Sequence, residues 1–183
     1  MMSMITLLIK PASGACNYRC RYCFYHDVTH YRAESNRGMM SRETLDILLK
    51  RAFETGTRKV NLAWQGGEPT LAGLDFFSYM VRRVRELKPA GVEVTQTLQT
   101  NGSLLDDDWT HFFARENFLI GLSLDGPKEY HDALRLDSEG KGTFRKTMNA
   151  VRLLSRHKVN FNILTVVNGY NARHAGKLYR FFA

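Results

Sequence analysis

The chain has 183 residues, 44% of them apolar and 24% charged, a composition typical of a soluble globular domain. Its formal charge of +8 comes from basic residues scattered over predicted helices rather than from one compact stripe, so we expect no nucleic-acid partner. No apolar run approaches the length of a membrane span, and residues 1–9 lack the basic start of a signal peptide, so we expect no membrane association.

Apolar residues recur at alternating strand and helix spacings along the chain. After a buried strand at 5–9, Ser41 marks the start of a helix over about 41–55, which Gly56 ends. The pattern then predicts strands at 60–64, 92–98, 118–124 and 161–167, and helices at 74–87, 106–115 and 143–157, the last capped by Thr143. The polar segment 130–142 is interpreted as an active-site loop or a surface excursion, and the chain reaches residue 183 in a further helix.

This order of elements predicts an α/β fold. Repeated strand–loop–helix units require parallel strands that are joined by crossover helices. Such connections are right-handed, so we expect the sheet to curl toward a barrel or to form an open twisted sheet.

All three cysteines lie within eight residues, as Cys16, Cys20 and Cys23, in the loop after the first strand. Thiolates bind iron–sulfur clusters, and a cubane held by only three of them leaves one iron open to another ligand. A zinc knuckle is the alternative, because His26 completes a Cys3His set with short spacings. A disulfide framework is disfavoured by the odd count, and free thiols are typical of the cytoplasm. The pattern therefore predicts an open iron–sulfur cluster or a zinc site.

Three further turns that follow strands are rich in glycine and polar residues. They are Gly66-Gly67-Glu68-Pro69, Gln99-Thr100-Asn101-Gly102 and Ser123-Leu124-Asp125-Gly126-Pro127. In parallel α/β folds, ligands bind beyond the carboxyl ends of the strands, so we expect these turns and the cysteine loop to surround one site. Gly66 and Gly67 have no Cβ atoms and would let the backbone approach a ligand closely. Glu68 is either a ligand contact or a helix-capping carboxylate.

Taken together, Cys16-x3-Cys20-x2-Cys23 and these turns resemble the amino-terminal half of the anaerobic sulfatase-maturating enzymes, which are radical S-adenosylmethionine (SAM) proteins. The resemblance implies a partial parallel (β/α)6-type radical SAM barrel with about five βα units. It also implies that Cys16, Cys20 and Cys23 ligate a [4Fe-4S] cluster whose open iron is chelated by SAM. The positions assigned to SAM binding are Tyr22, Gly66, Gly67, Glu68, Ser123 and Arg135, and the candidates for the substrate side are Tyr25, Gln65 and Gln99. Without the family match, Tyr22 could simply pack and Arg135 could be a solvated loop residue.

In this family the reduced cluster donates an electron to SAM, and the resulting 5′-deoxyadenosyl radical removes a β-hydrogen from a cysteine or serine of a target sulfatase. Loss of a proton and a second electron gives Cα-formylglycine. The resemblance thus implies a sulfatase polypeptide as substrate and an electron donor such as flavodoxin or ferredoxin. Another peptide-modifying radical SAM enzyme, a zinc-stabilised binding module and an inert remnant of a maturase are the alternatives.

The sequence departs from the family pattern in one respect. The family carries further cysteines for auxiliary clusters in a SPASM or twitch-like extension, whereas this chain has no cysteine after Cys23. The family's sixth strand and proton-accepting aspartate would fall beyond Ala183. We therefore expect residues 1–183 to be a radical SAM core domain that is incomplete at its C-terminal end and lacks the auxiliary-cluster domain, and we assign no catalytic proton acceptor.

Overall fold

The computed structural model describes residues 4–25, 31, 33–34 and 36–183, and strands and helices alternate along it. The strands are β1 Ile5–Ile9, β2 Lys59–Trp64, β3 Glu93–Thr100, β4 Leu119–Ser123 and β5 Asn160–Leu164. The helices are α1 Arg42–Glu54, α2 Leu74–Leu87, α3 Asp107–Arg115, α4 Lys128–Leu134, α5 Phe144–Arg156 and α6 Ala175–Phe182, with 3-10 helices at Pro69–Ala72 and Ala172–His174. Within this described part of the chain, none of the helices combines the length and the apolar character needed to cross a bilayer.

The five strands form one parallel sheet in the order of the chain, β1-β2-β3-β4-β5. The register runs from Ile5 opposite Val60 at one edge to Leu119 opposite Asn160 at the other. Each connection steps to the next strand in the same direction across the sheet, and each is right-handed. The connecting helices therefore all lie on the same face of the sheet. A sequential order without reversal is that of a barrel wall rather than of a doubly wound sheet. The predicted α/β class with parallel strands is confirmed.

The hydrophobic core lies between the sheet and these helices. Alternate side chains of the central strands point into it, and Leu62 and Ile120 are completely buried there. Aromatic rings fill the layer with edge-to-face contacts, because Phe77 lies 5.3 Å from Trp64 and 5.6 Å from Trp109 between ring centroids. The intervening strand residues face the uncovered side of the sheet and are mostly polar or small, which leaves that side available to a ligand.

The helix boundaries largely follow the predicted signals. The backbone N–H of Thr44 donates to Ser41 Oγ at 3.1 Å as α1 begins, and Gly56 follows its end with φ +70°. The predicted bounds of α2 are those observed, and Asp106 Oδ1 caps α3 by accepting from Trp109 N at 2.9 Å. Capping residues and apolar periodicity therefore fix these elements locally.

The segment 130–142 is not a loop throughout, contrary to the expectation from its polar sequence. Helix α4 occupies 128–134, and the remainder turns back through an isolated bridge between Leu136 and Gly142. Tyr130 and His131 of α4 are buried. The helix spans only two turns, and such a short segment carries too few apolar residues for a 3.6-residue period to stand out.

The end of one predicted strand and one predicted helix cap near the end of the chain are wrong. Strand β5 ends at Leu164 rather than at 167, because Val166 N leaves the ladder and donates to Asp125 Oδ1 at 3.0 Å. The Thr143 side chain does not cap α5, since its hydroxyl donates to the Arg135 carbonyl at 2.9 Å. Asp132 Oδ1 accepts from Phe144 N at 2.8 Å in its place.

Candidate functional site

The cysteine loop, residues 10–25, leaves the carboxyl end of β1 and pairs with the segment that follows α4. The backbone N–H groups of Arg19 and Arg21 donate to the carbonyls of Leu136 and Leu134, both at 2.8 Å. An antiparallel bridge between Tyr18 and Asp137 continues this pairing. Main-chain hydrogen bonds thus hold residues 18–21 of the loop, which include Cys20, in place beside this segment.

The thiols of the loop are contacted by polar groups from distant elements. Cys16 Sγ lies 3.4 Å from Tyr18 N and 3.9 Å from Asn101 Nδ2, and Cys20 Sγ lies 4.0 Å from Arg135 Nη1. Loss of hydration raises the pKa of the Cys16 thiol to about 11, and it raises the pKa of Cys20 although the nearby guanidinium opposes the shift. Iron binding must therefore release protons from these thiols.

The three cysteines supply the kind of donor that an iron–sulfur cluster needs. None of them forms a disulfide. In the part of the chain that the structure describes, no three His, Cys, Asp or Glu side chains are arranged to hold one metal ion. A cubane does not require that arrangement, because each thiolate binds a different iron. His26, the fourth ligand of the zinc alternative, lies outside the described residues, so the zinc site stays a prediction.

Gly67 allows the turn after β2 to touch the cysteine loop. Its φ is +53°, and a Cβ atom at this position would lie 2.0 Å from the carbonyl oxygen of Ala15. The following amide, Glu68 N, donates to the same oxygen at 2.8 Å. At Gly66 the nearest atoms are instead those of the flexible Lys10 side chain. The absence of a Cβ atom at Gly67 therefore lets the backbone of the cysteine loop, rather than a ligand, approach this turn closely.

The carboxylate of Glu68 is buried, and its observed partners are protein groups. It accepts hydrogen bonds from the backbone N–H and hydroxyl of Thr70 at 3.1 and 2.7 Å, from the Thr100 hydroxyl at 2.7 Å and from Asn101 N at 2.8 Å. Burial raises its pKa, while these donors favour the charged form. Glu68 therefore caps the 3-10 helix that follows and links this turn to the end of β3. Its assignment to SAM binding stays a prediction.

Asp125, just beyond β4, joins two of the residues assigned to SAM. Its Oδ2 accepts from Arg135 Nε at 2.9 Å and from the Tyr22 hydroxyl. The Arg135 guanidinium also lies over the Tyr22 ring, 5.5 Å from its centroid. Burial and the hydrogen bond to Asp125 raise the pKa of Tyr22, so its hydroxyl stays protonated and donates. Because the Arg135 side chain is only 8% exposed, the solvated-loop interpretation of this residue is wrong.

His131 supports the same corner from α4. Its Nδ1 accepts from Asp125 N at 3.3 Å, and its Nε2 lies 3.0 Å from the Thr143 hydroxyl. Burial, helped by the charge of Arg135, lowers the pKa of His131 to about 4, so the ring is neutral near pH 7. Nε2 then carries the proton and donates to Thr143, whose hydroxyl donates in turn to the Arg135 carbonyl.

The uncovered face of the sheet carries most of the substrate-side candidates. Gln65 and Gln99 line a cavity of about 220 Å³ together with residues of all five strands. Gln99 Nε2 donates to Ser123 Oγ at 2.9 Å. Tyr25 lines a different cavity of about 520 Å³, where its ring centroid lies 4.4 Å from Lys10 Nζ. The structure therefore brings Gln65, Gln99 and Ser123 together and places Tyr25 elsewhere.

Sequence reasoning missed Asp125 and His131 as residues of this site. Asp125 is part of a turn that the sequence singles out, but its partners Tyr22 and Arg135 lie in other loops. An aspartate and an arginine ten residues apart carry no sequence signal that they will be buried as a pair. Only the chain path through α4 brings them into contact.

The sequence pattern of the Radical SAM superfamily matches residues 11–182, and the chain therefore belongs to this superfamily. More specifically, it is similar to the cysteine-type anaerobic sulfatase-maturating enzyme of Clostridium novyi, with 46% identity over 99% of this chain and 48% of that protein. It is also similar to the serine-type anaerobic sulfatase-maturating enzyme of Klebsiella aerogenes, with 38% identity over 94% of this chain and 42% of that protein. The chain spans about half the length of these relatives.

A solved structure described as native anSMEcpe with bound AdoMet and Cp18Cys peptide has the same fold. It superposes with a TM-score of 0.89 at 44% sequence identity, and the match covers 97% of this chain and 47% of that one. The similarity extends over nearly all of the described strands and helices. The resemblance to sulfatase-maturating enzymes that the motifs predicted is thus confirmed, for the portion of those proteins that this chain spans.

Proposed function

We propose that this chain is a radical SAM enzyme, or the cofactor-binding part of one, that cleaves SAM at a [4Fe-4S] cluster to oxidise a cysteine or serine of a sulfatase to Cα-formylglycine. One observation carries the proposal. Three unpaired thiols and a buried guanidinium 4.0 Å from one of them lie beyond the carboxyl ends of one parallel sheet, and a cavity lined by Gln65 and Gln99 opens on the uncovered face of that sheet. Ligands bind at this edge in folds of this kind.

The proposed roles follow from the chemistry of the side chains. Cys16, Cys20 and Cys23 would hold the cluster, which when bound supplies the electron that cleaves SAM. Arg135 offers a positive charge for the carboxylate of SAM, because only its Nε edge is engaged by Asp125. Tyr22, Gly66, Gly67, Glu68 and Ser123 are proposed to complete the SAM site.

The substrate side would be formed by amide groups on the uncovered face of the sheet. Gln65 and Gln99 each carry a donor and an acceptor, which suits the N–H and C=O groups of an extended peptide. Tyr25, in its separate cavity, is proposed to contact a more distant part of the same polypeptide. These amides would orient the target residue, and the protein would keep water from the reacting carbon.

The proposed partners and location rest on the relatives and on charge. The higher identity to the cysteine-type enzyme favours cysteine as the oxidised residue. A flavodoxin or ferredoxin is a suitable electron donor, because the net charge of +8 and the exposed Arg19 and Arg21 of the cysteine loop favour an acidic partner. We also propose a cytoplasmic location, where thiols stay reduced, and a radical SAM core domain over residues 1–183.

The proposal is tested by anaerobic reconstitution with iron and sulfide, followed by reductant and SAM. We expect one four-iron cluster and release of 5′-deoxyadenosine, both lost in Cys20→Ala. Sulfatase-derived peptides with Cys, Ser or Ala at the target position would then be examined by mass spectrometry. Formylglycine appears as a loss of two hydrogens from serine, and from cysteine as the same loss with sulfur exchanged for oxygen.

Three results would contradict the proposal, each in favour of one alternative. Stoichiometric zinc without SAM cleavage would indicate a zinc-stabilised module. A cluster that produces 5′-deoxyadenosine while a different class of peptide is modified would indicate another peptide-modifying enzyme. A correctly folded chain that binds neither iron nor SAM would indicate an inert remnant.

A further inference from the structure

We propose that Asp125 is a positioning residue that holds the guanidinium of Arg135 beside Cys20, so that its Nη groups are aimed at the carboxylate of bound SAM. This inference rests on the proposed function, because it presupposes that Arg135 binds SAM. Asp125 is not among the predicted SAM contacts. Asp125 itself would touch neither SAM nor the cluster.

The two edges of the Arg135 guanidinium face different groups, because Nε meets Asp125 and Nη1 meets Cys20. Asp125 Oδ2 accepts from Nε at 2.9 Å, and Nη1 lies 4.0 Å from Cys20 Sγ. A guanidinium presents its donors in a fixed plane, so holding Nε determines where the Nη groups point. The Tyr22 ring beneath the guanidinium, 5.5 Å from centroid to Cζ, limits its movement out of this plane.

Asp125 is in turn held by four separate segments, three through its carboxylate and one through its backbone N–H. The cysteine loop contributes the Tyr22 hydroxyl, and the segment after β5 contributes Val166 N at 3.0 Å from Oδ1. Helix α4 contributes His131, whose Nδ1 accepts from the backbone N–H of Asp125 itself, and the segment after α4 contributes Arg135. Only 1% of the Asp125 side chain is exposed, and both of its oxygens accept hydrogen bonds from protein donors. Because Asp125 is already fixed, it loses little conformational entropy when it orients the Arg135 side chain.

The charge of Asp125 matters as well as its shape. Removing one partner of a buried ion pair leaves the other charge without compensation, and the unpaired group then moves toward water. In Asp125→Asn the size is kept, but the amide cannot balance the guanidinium. We therefore expect Arg135 to leave its position beside Cys20, while the main-chain pairing that shapes the cysteine loop persists.

The test measures SAM affinity by equilibrium dialysis against the reconstituted full chain. Loss of a partner that orients a binding group typically costs about 10- to 100-fold, and we expect this weakening for Asp125→Asn with iron content unchanged. Arg135→Lys should weaken binding too, and the double variant should bind SAM within about twofold of Arg135→Lys alone. A purely structural role for Asp125 would instead make the two losses add. On the metal-free chain, hydrogen exchange at Val166 N should become faster in Asp125→Asn.

Asp46 provides a control outside the residues assigned to the SAM site. It accepts from Arg83 Nε at 2.8 Å and from the Tyr79 hydroxyl at 3.0 Å, which repeats the Asp–Arg–Tyr combination between α1 and α2. Asp46→Asn should leave SAM binding unchanged. If Asp125→Asn does not fold, Asp125→Glu retains the charge with a displaced carboxylate and should show the same loss of affinity.

The outcomes separate this inference from the proposed function. A wild-type chain that holds the cluster but binds no SAM would overturn the proposed function, and this inference with it. If wild type binds SAM but Asp125→Asn binds it equally tightly, or if the losses add in the double variant, the inference alone is overturned.

Discussion

Replacing Gly67 by alanine should destabilise the protein and disturb the cysteine loop together. The new Cβ would lie 2.0 Å from the carbonyl oxygen of Ala15, whereas ordinary contacts begin at 3.4 Å, so the two loops must separate by more than about 1 Å. Overpacking of this kind costs roughly 1–3 kcal/mol. The left-handed backbone at φ +53° adds roughly 1–2 kcal/mol for any residue with a Cβ. The total is roughly 2–5 kcal/mol, a large part of the stability of a typical domain.

Gly91→Ala is the matched control, because Gly91 has φ +78° but no atom lies within 4 Å of the place that a Cβ would occupy. It should lose only the roughly 1–2 kcal/mol due to the backbone. Urea unfolding of the metal-free chain, followed by the fluorescence of Trp64 and Trp109, measures both losses. Iron content after reconstitution should fall in Gly67→Ala alone, since the displaced loop carries the cysteines. Equal unfolding midpoints and equal iron contents in the two variants would refute the reasoning.

Two further predictions concern a buried histidine and the proposed metal ligands. The pKa of His131 is lowered from 6.5 to about 4, so the unfolded chain takes up a proton first as the pH falls. The free energy of unfolding of the wild-type chain should therefore fall by about 3 kcal/mol between pH 7 and pH 4, relative to that of His131→Gln. Urea unfolding at several pH values would measure this difference. Parallel pH profiles for the two proteins would contradict the prediction. Alanine at Cys16, Cys20 or Cys23 should abolish cluster binding in iron and sulfide assays, whereas His26→Ala should retain it, and the opposite result for His26 would favour the zinc site.

The sequence predicts most elements of this fold because their signals are local. Helix α2 shows them well, since five apolar side chains at helical spacing are buried against the sheet. Ser41 and Asp106 identify helix starts through hydrogen bonds to residues three positions ahead. Helix α4 lacks these advantages, because it is seven residues long and follows Pro127, which makes no side-chain cap.

The site is only partly predictable because its contacts are tertiary. The clustering of turns beyond the strand ends follows from the parallel order and could be foreseen. That Gly67 meets Ala15, or that Asp125 meets Tyr22 and Arg135, depends on how separate loops cross. Periodicity and spacing describe each loop alone, so they cannot assign partners between loops.

The pairing of the cysteine loop with the segment after α4 has a consequence for the order of events during synthesis. Arg21 bonds to Leu134, which lies 113 positions later in the chain. At roughly 5–20 residues per second, the ribosome needs about 6–23 s to make that stretch. Throughout this interval the cysteine loop lacks the segment around Leu134 and Leu136 with which it pairs. Cluster insertion should therefore follow the folding of the β4–α4 region, and a carrier that delivers iron and sulfide to the nascent chain too early would meet three unorganised thiols.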